Sequence, residues 1–115
     1  MSSTYRVVFS ARAEADLVAI ADYFADTVSP DFGEEMYHRL LDRAETLDTL
    51  PNRGGHPKEL TGRLRLRYRQ VVDPPYRIIY RVGTDIVTIL MIVDGRRDIA
   101  PLIAARVESD RTGED

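Results

Sequence analysis

The sequence predicts an α+β fold: a short N-terminal strand, an antiparallel helical hairpin, three antiparallel strands and a short C-terminal helix. Three observations predict it. Apolar residues recur at helical spacing through the first half of the chain. A loop rich in proline and glycine, "PNRGGHPKELTG", ends that half. Three consecutive runs of β-branched and aromatic residues follow, which favours an antiparallel sheet packed on the hairpin.

The first strand is read from "YRVVFS", Tyr5 to Ser10. Ser10 is placed to cap a helix from Ala11 to about Thr27, whose apolar stripe is Ala13, Leu17, Ile20, Ala21 and Phe24. Asp16, Asp22 and Asp26 fall off that stripe and are expected on a solvated face. "SPDFGEE" starts a second helix: Ser29 caps, Pro30 fits the first turn, and Asp31 suits the positive end of the dipole. That helix is expected to run to about Leu50, before Pro51, with its stripe at Met36, Tyr37, Leu40, Leu41, Ala44 and Leu47. After the loop, a strand is expected from Leu64 to Val72, ended by "DPP". Tyr76 to Val82 is the next strand, "GTD" the turn, and "IVTILMIV", Ile86 to Val93, the last. That last run is apolar almost throughout, so both its faces should be covered and it should lie centrally. Asp98 is placed to cap a final helix from Ile99 to about Arg106, with Pro101 in its first turn. Residues 107–115 read as a polar tail expected to fray, so residues 1–115 are read as one domain.

Composition narrows the function. No apolar run approaches the ~18 residues of a membrane span, and "MSSTYRVVFS" does not read as a signal peptide. With no cysteine, disulfides and thiolate metal sites are excluded, and a cytoplasmic location is expected. His38 and His56 have no metal-ligand spacing, so neither metal nor cofactor is expected. Tyr23, Tyr37, Tyr68, Tyr76 and Tyr80 are expected in the core or at an interface.

Charge is the most informative feature. The chain has a net charge of -3, yet 15 of its 16 basic residues are arginine, and they cluster. Residues 10–50 hold ten acids and three arginines, whereas residues 51–82 hold eight bases and two acids. Arginine offers a planar fork for carboxylates and phosphates where lysine offers a point charge. In the strand expected at residues 64–72, Arg63, Arg65, Arg67 and Arg69 would share one face, opposite Leu64, Leu66 and Tyr68. Arg77 and Arg81 on the next strand could join that face. Such a row needs an acidic protein segment, nucleic acid, or internal counterions such as Glu59, Asp73, Asp94 or Asp98.

Together, "YRVVFSARAEADLVAIADYFA", Tyr76-Arg77-Ile78-Ile79-Tyr80-Arg81 and Gly95-Arg96-Arg97-Asp98 resemble the RelE/ParE superfamily of type II toxin–antitoxin toxins, nearest its ParE-like, plasmid-stabilisation branch. The similarity spans roughly Tyr5 to Arg106. The resemblance implies a toxin neutralised by a cognate antitoxin, with operator DNA bound only indirectly through that antitoxin and no role for a membrane. ParE-like members resemble DNA gyrase inhibitors; RelE-like members cleave mRNA on the ribosome. For cleavage, Arg77 and Arg96 stand where RelE-like enzymes place arginines that stabilise the transition state. Those enzymes also use a tyrosine after the final strand, where this chain has "DIAPLIAAR" with Leu102. The ParE-like branch commonly has histidine where this chain has Asp94, beside Arg96 and Arg97, and a neutralised, non-toxic member is the third reading. The residues expected to meet the antitoxin or target are Arg65, Arg67, Arg69, Arg77, Arg81, Asp94, Arg96 and Arg97, with an apolar groove between helices and sheet.

Overall fold

The computed structural model describes residues 4–113. Its elements are β1 (Arg6–Phe9), α1 (Ala11–Thr27), α2 (Pro30–Glu45), α3 (Gly62–Arg67), β2 (Tyr68–Asp73), β3 (Tyr76–Val82), β4 (Ile86–Asp94) and α4 (Ala100–Thr112), with short 3₁₀ turns at Thr46–Asp48 and Pro51–Arg53. The α+β class, the hairpin and the three antiparallel strands are as the sequence predicts. Both helix starts are too. Ser10 Oγ accepts the Ala13 N–H at 3.1 Å, and Ser29 Oγ accepts the Phe32 N–H at 3.1 Å, with Pro30 in the first turn.

The sheet order is β1-β4-β3-β2. β2, β3 and β4 pair antiparallel, but β1 joins β4 in parallel, from Arg6↔Ile86 to Phe9↔Ile89. The sheet is therefore mixed. Its central strand is covered on both sides, as its unbroken apolar run requires. The α1–α2 hairpin packs Leu17 and Leu40, and the 3₁₀ turn after it Leu47, onto Ile78, Tyr80, Ile89 and Ile92. On the other face α4 packs Ile103 and Val107 onto Tyr68, Ile79, Leu90 and Met91. A bulge lies where Ile79↔Met91 gives way to Tyr80↔Ile89, leaving Leu90 without a partner on β3.

The arginine-rich segment departs from expectation. Residues 62–67 form α3, a short exposed helix, and the strand begins only at Tyr68. Register explains this. Tyr68 pairs with Arg81, so Leu66 would need a partner at Gly83, where β3 has already turned. The Leu/Arg alternation had no strand to pair with. Gly62, at φ +60°, turns the chain into the helix in a conformation that other residues rarely adopt. The row of Arg63, Arg65, Arg67 and Arg69 on one strand face does not exist.

Two helix ends also differ. α2 stops at Glu45 and passes through a 3₁₀ turn instead of running to Leu50. α4 continues to Thr112, well past Arg106, because Val107 packs on the sheet, Ser109 is buried and Asp110 is held by Arg81. The expected frayed tail is therefore helical over residues 107–112. Ile99 holds the cap position of α4 without a side-chain bond, so Asp98, which is exposed, does not cap it.

Candidate functional site

The turn that follows β4 is the centre of the site. Asp94 ends the strand, and its carboxylate bends back onto Arg96. Oδ1 accepts the Arg96 main-chain N–H at 2.9 Å and Nε–H at 3.0 Å, and Oδ2 accepts Nη2–H at 2.7 Å. Those bonds hold the Asp94 carboxyl down at about 2 and push the Arg96 guanidinium up. Gly95 sits tightly against the Arg77 side chain: a Cβ there would lie 2.8 Å from Arg77 Cδ and 3.2 Å from the Pro75 carbonyl oxygen.

Arg77 is the more enclosed arginine, 9% exposed. It forms a two-pronged pair with Glu59, Nη1 to Oε2 and Nη2 to Oε1, both 2.8 Å. Gln70 Oε1 accepts from its Nε at 2.8 Å and also from Nη2. The hydrogen bonds from Arg77 hold the Glu59 carboxyl below its ordinary range. Arg81 pairs with Asp110 of α4, Nε to Oδ2 at 3.0 Å, and Tyr68 Oη donates to the same oxygen at 2.7 Å. Burial pushes the Asp110 carboxyl up, but the bonds from Arg81 and Tyr68 outweigh it and leave it lowered. Burial, and the bond to Asp110, push the Tyr68 hydroxyl up to about 12.

Two hollows flank the turn, and Arg96 lines both. The first, about 570 Å³, lies between α1 and α4 along the end of β4. Ala19, Ile20, Tyr23 and Leu102 make its apolar walls, and Asp94, Arg96 and Arg97 its charged mouth. Tyr23 is 61% exposed, a large aromatic surface at the rim rather than in the core. The second, about 440 Å³, lies on the β2 side and gathers His56, Lys58, Gln70, Arg77 and Arg96.

The expected site residues therefore fall into separate places. Arg77, Asp94, Arg96 and Arg97 come together at the turn. Arg81 lies away, on the α4 side of the sheet, and Arg69 donates to the Gly54 carbonyl at 2.7 Å. Arg65 and Arg67 are exposed on α3. Of the four carboxylates named as internal counterions to that row, Glu59 holds one of its arginines, Arg77, whereas Asp73 pairs with Arg39 and Asp94 with Arg96. Asp98 has no ion pair among the described residues.

Sequence reasoning missed three participants. His56 and Lys58 reach the hollow because Gly55 bridges to Gln70 and folds the loop back over β2; nothing in their spacing signals that. His56 Nδ1 lies 2.7 Å from the Tyr68 carbonyl oxygen, leaving Nε2 without a bond among the described residues. Asp16, expected on a solvated face, accepts the Ile92 main-chain N–H at 3.1 Å and pairs with Arg106 at 2.8 Å. Among the described residues no cluster of three or more His, Cys, Asp or Glu could hold a metal ion, and no helix is long and apolar enough to cross a membrane.

The sequence matches the family described as the ParE toxin of the type II toxin–antitoxin system parDE over residues 7–99. The chain thus belongs to the ParE toxin family, within the RelE/ParE superfamily of type II toxins. It is 40% identical to Toxin RelE2 of Caulobacter vibrioides over 87 residues, which is 76% of this chain and 91% of that protein. Its fold is that of a chain from the chromosomal ParDE TA system from P. aeruginosa, with a TM-score of 0.68 and 22% identity over 79% of this chain and 96% of that one.

Proposed function

We propose that this toxin acts by binding and inhibiting DNA gyrase, and that a cognate antitoxin neutralises it by covering the groove beside β4 and the turn at Arg96 and Arg97. One observation carries the preference for binding over RNA cleavage: both candidate transition-state arginines already hold carboxylates. Arg77 is enclosed by Glu59 and Gln70, and Arg96 is chelated by Asp94. A phosphorane would have to compete with those anions. Leu102, where the resemblance expects a tyrosine, offers no proton. The groove with its exposed Tyr23 suits a protein partner instead. The deciding assay is gyrase supercoiling with purified toxin, with and without the protein encoded beside it. Inhibition relieved by that neighbour supports the proposal. Supercoiling unaffected by micromolar toxin overturns the choice of target.

A specific observation favours a second reading, ribosome-dependent mRNA cleavage. His56, Lys58, Arg77 and Arg96 line one hollow, and His56 Nδ1 is held at the Tyr68 carbonyl, which leaves Nε2 without a bond among the described residues. Cleavage in a translation extract that disappears in both His56→Ala and Arg96→Ala would establish it. Growth arrest on expression of the toxin alone separates both readings from a detoxified member, for which the Asp94–Arg96 pair is the motive.

A further inference from the structure

Three arginines where α2 ends beside β2 hold no carboxylate. Arg39, Arg77, Arg81, Arg96 and Arg106 each grip one. Among the described residues Arg43, Arg53 and Arg69 are bonded only to neutral oxygens. Arg53 Nη2 donates to Thr46 Oγ1 at 2.5 Å, and Arg43 Nη1 reaches the same oxygen at 3.5 Å. Two guanidinium groups thus converge on one hydroxyl, which donates its own proton to the Arg43 carbonyl at 2.7 Å. Arg43 is half-buried, and its other contact, to the Val72 carbonyl, is also at 3.5 Å, so its donors are poorly satisfied. Asp73, the next residue on β2, is already held by Arg39. Arg69 comes in from β2 and donates to the Gly54 carbonyl at 2.7 Å. All three act on the Tyr80 hydroxyl. Burial pushes that hydroxyl up, while the Gly54 N–H and the charges of Arg69, Arg53 and Arg43 draw it down.

The backbone bends to bring these groups together. Leu50, 74% exposed, sits at φ +51°, a left-handed conformation uncommon for a residue with a side chain. It turns Pro51–Arg53 back, and the Pro51 carbonyl accepts from Tyr80 Oη at 2.6 Å. The C-terminal end of α2 carries partial negative charge, but that suits one cation, not three. Fixing the loop to Thr46 likewise needs only one guanidinium. The repulsion left over is relieved by an anion. We propose that Arg43, Arg53 and Arg69 form a binding site for a phosphate group, either free or in the backbone of a nucleic-acid strand. A tetrahedral phosphate offers oxygens in several directions, whereas a planar carboxylate, such as Arg39 and Arg77 hold, faces a single fork. Arg53 and Thr46 are exposed, so the site is open to a strand as well as to a small anion. The net charge of -3 gives the chain no general attraction for nucleic acid, so a local cluster has to supply it. None of the three arginines lines the hollows at the Arg96 turn, and the site is independent of the toxin's target.

The test titrates the full-length chain with sodium phosphate, against sodium chloride at equal ionic strength, and follows the arginine Nε–H resonances. Phosphate should shift those of Arg43, Arg53 and Arg69 and raise the thermal midpoint, and chloride should do neither. Thr46→Glu sets a carboxylate where two of the guanidinium groups converge. It should melt higher than the wild type and bind phosphate roughly tenfold more weakly or worse. Arg53→Gln, at an exposed position, should lose the phosphate response without the added charge. A labelled single-stranded DNA, read by anisotropy at low salt, separates the two sources. Binding roughly tenfold tighter than inorganic phosphate, and lost in Thr46→Glu, assigns the site to a nucleic-acid backbone. Affinity no better than that of inorganic phosphate assigns it to the free anion. Three results overturn the site. No shift at these arginines, or an equal one with chloride, leaves only screening. Shifts confined to Arg77 and Arg96 place the phosphate in the other hollow. Folded Thr46→Glu and Arg53→Gln proteins that bind phosphate as the wild type does remove the cluster from recognition.

Discussion

Replacing Asp16 with alanine should destabilise the fold far more than its place on an acidic helix suggests. The carboxylate joins three elements. It accepts the Ile92 N–H of β4, and it pairs with Arg106 of α4, which in turn donates to the Leu90 carbonyl at the bulge. Ile92 is 3% exposed, so its N–H would lose its only partner among the described residues, at about 1–3 kcal/mol. The Asp16 and Arg106 side chains are 21% and 16% exposed, so losing their pair costs less than the ~3–5 kcal/mol of a fully buried one. Better helix propensity returns up to about 0.7 kcal/mol. The net is a loss of roughly 2–3 kcal/mol, a large part of the ~5–15 kcal/mol that holds a small domain together. In urea, with a slope of ~1–3 kcal/mol per molar, the midpoint should fall by about 1–2 M. Asp16→Asn, which can still accept from Ile92, should lose less. An Asp16→Ala/Arg106→Leu cycle should show coupling of about 1 kcal/mol or more. A loss under about 0.5 kcal/mol for Asp16→Ala, the size expected of a solvated surface site, would refute the reasoning.

Three further outcomes follow from the same contacts. The Tyr68 hydroxyl is raised from 10.0 to about 12, so its contribution is fully present below pH 10 and is lost as the pH rises toward 12. A tyrosinate absorbance titration should find Tyr68 ionising late, along with Tyr76 and Tyr80, whose hydroxyls burial also pushes up, and stability should decline over that window. Truncation after Arg106 removes buried Val107 and the carboxylate shared by Arg81 and Tyr68, and should cost about 3 kcal/mol or more in denaturant melts. Gly95→Ala forces its methyl against Arg77 and should lower stability by roughly 1–3 kcal/mol, read from the thermal midpoint.

The elements legible in the sequence were those fixed by local chemistry. Ser10 and Ser29 capped where they stood, Pro30 opened a helix, and the apolar run of β4 demanded cover on both faces. What failed depended on register or on distant packing. Arg65 and Leu66 alternate as strand residues do, but β3 ends too soon to pair with them. Residues 107–112 look like a solvated tail, yet Val107 packs on residues of the sheet, Ser109 is buried and Asp110 is held by Arg81, which keeps them helical. The site divided in the same way. Arg77, Asp94 and Arg96 lie in short motifs at adjoining strand ends and could be named. His56 and Lys58 reach the same turn only through the fold of a loop. Asp16 could not be recognised because its partners, Ile92 and Arg106, are 76 and 90 residues away.

The uneven charge along the chain is largely cancelled in three dimensions, and arginine is the residue suited to cancel it. Arg39 holds Asp73, Arg77 holds Glu59, Arg81 holds Asp110, Arg96 holds Asp94 and Arg106 holds Asp16. Each uses two guanidinium nitrogens on one carboxylate. A lysine would keep the charge but lose that planar, two-pronged fit. The pairs account for arginine's dominance over lysine in the sheet and last helix. The cations left without a carboxylate among the described residues include Lys58 and Arg63, Arg65 and Arg67 of α3, with Arg97 at the groove mouth. They sit at the surface, where salt screens them within about 10 Å. Exposed pairs of that kind contribute little to holding a complex together, but they draw an acidic partner in and orient it. The apolar walls of the groove beside β4 form a surface that salt does not screen. Added salt should therefore slow association with an acidic partner more than it speeds dissociation.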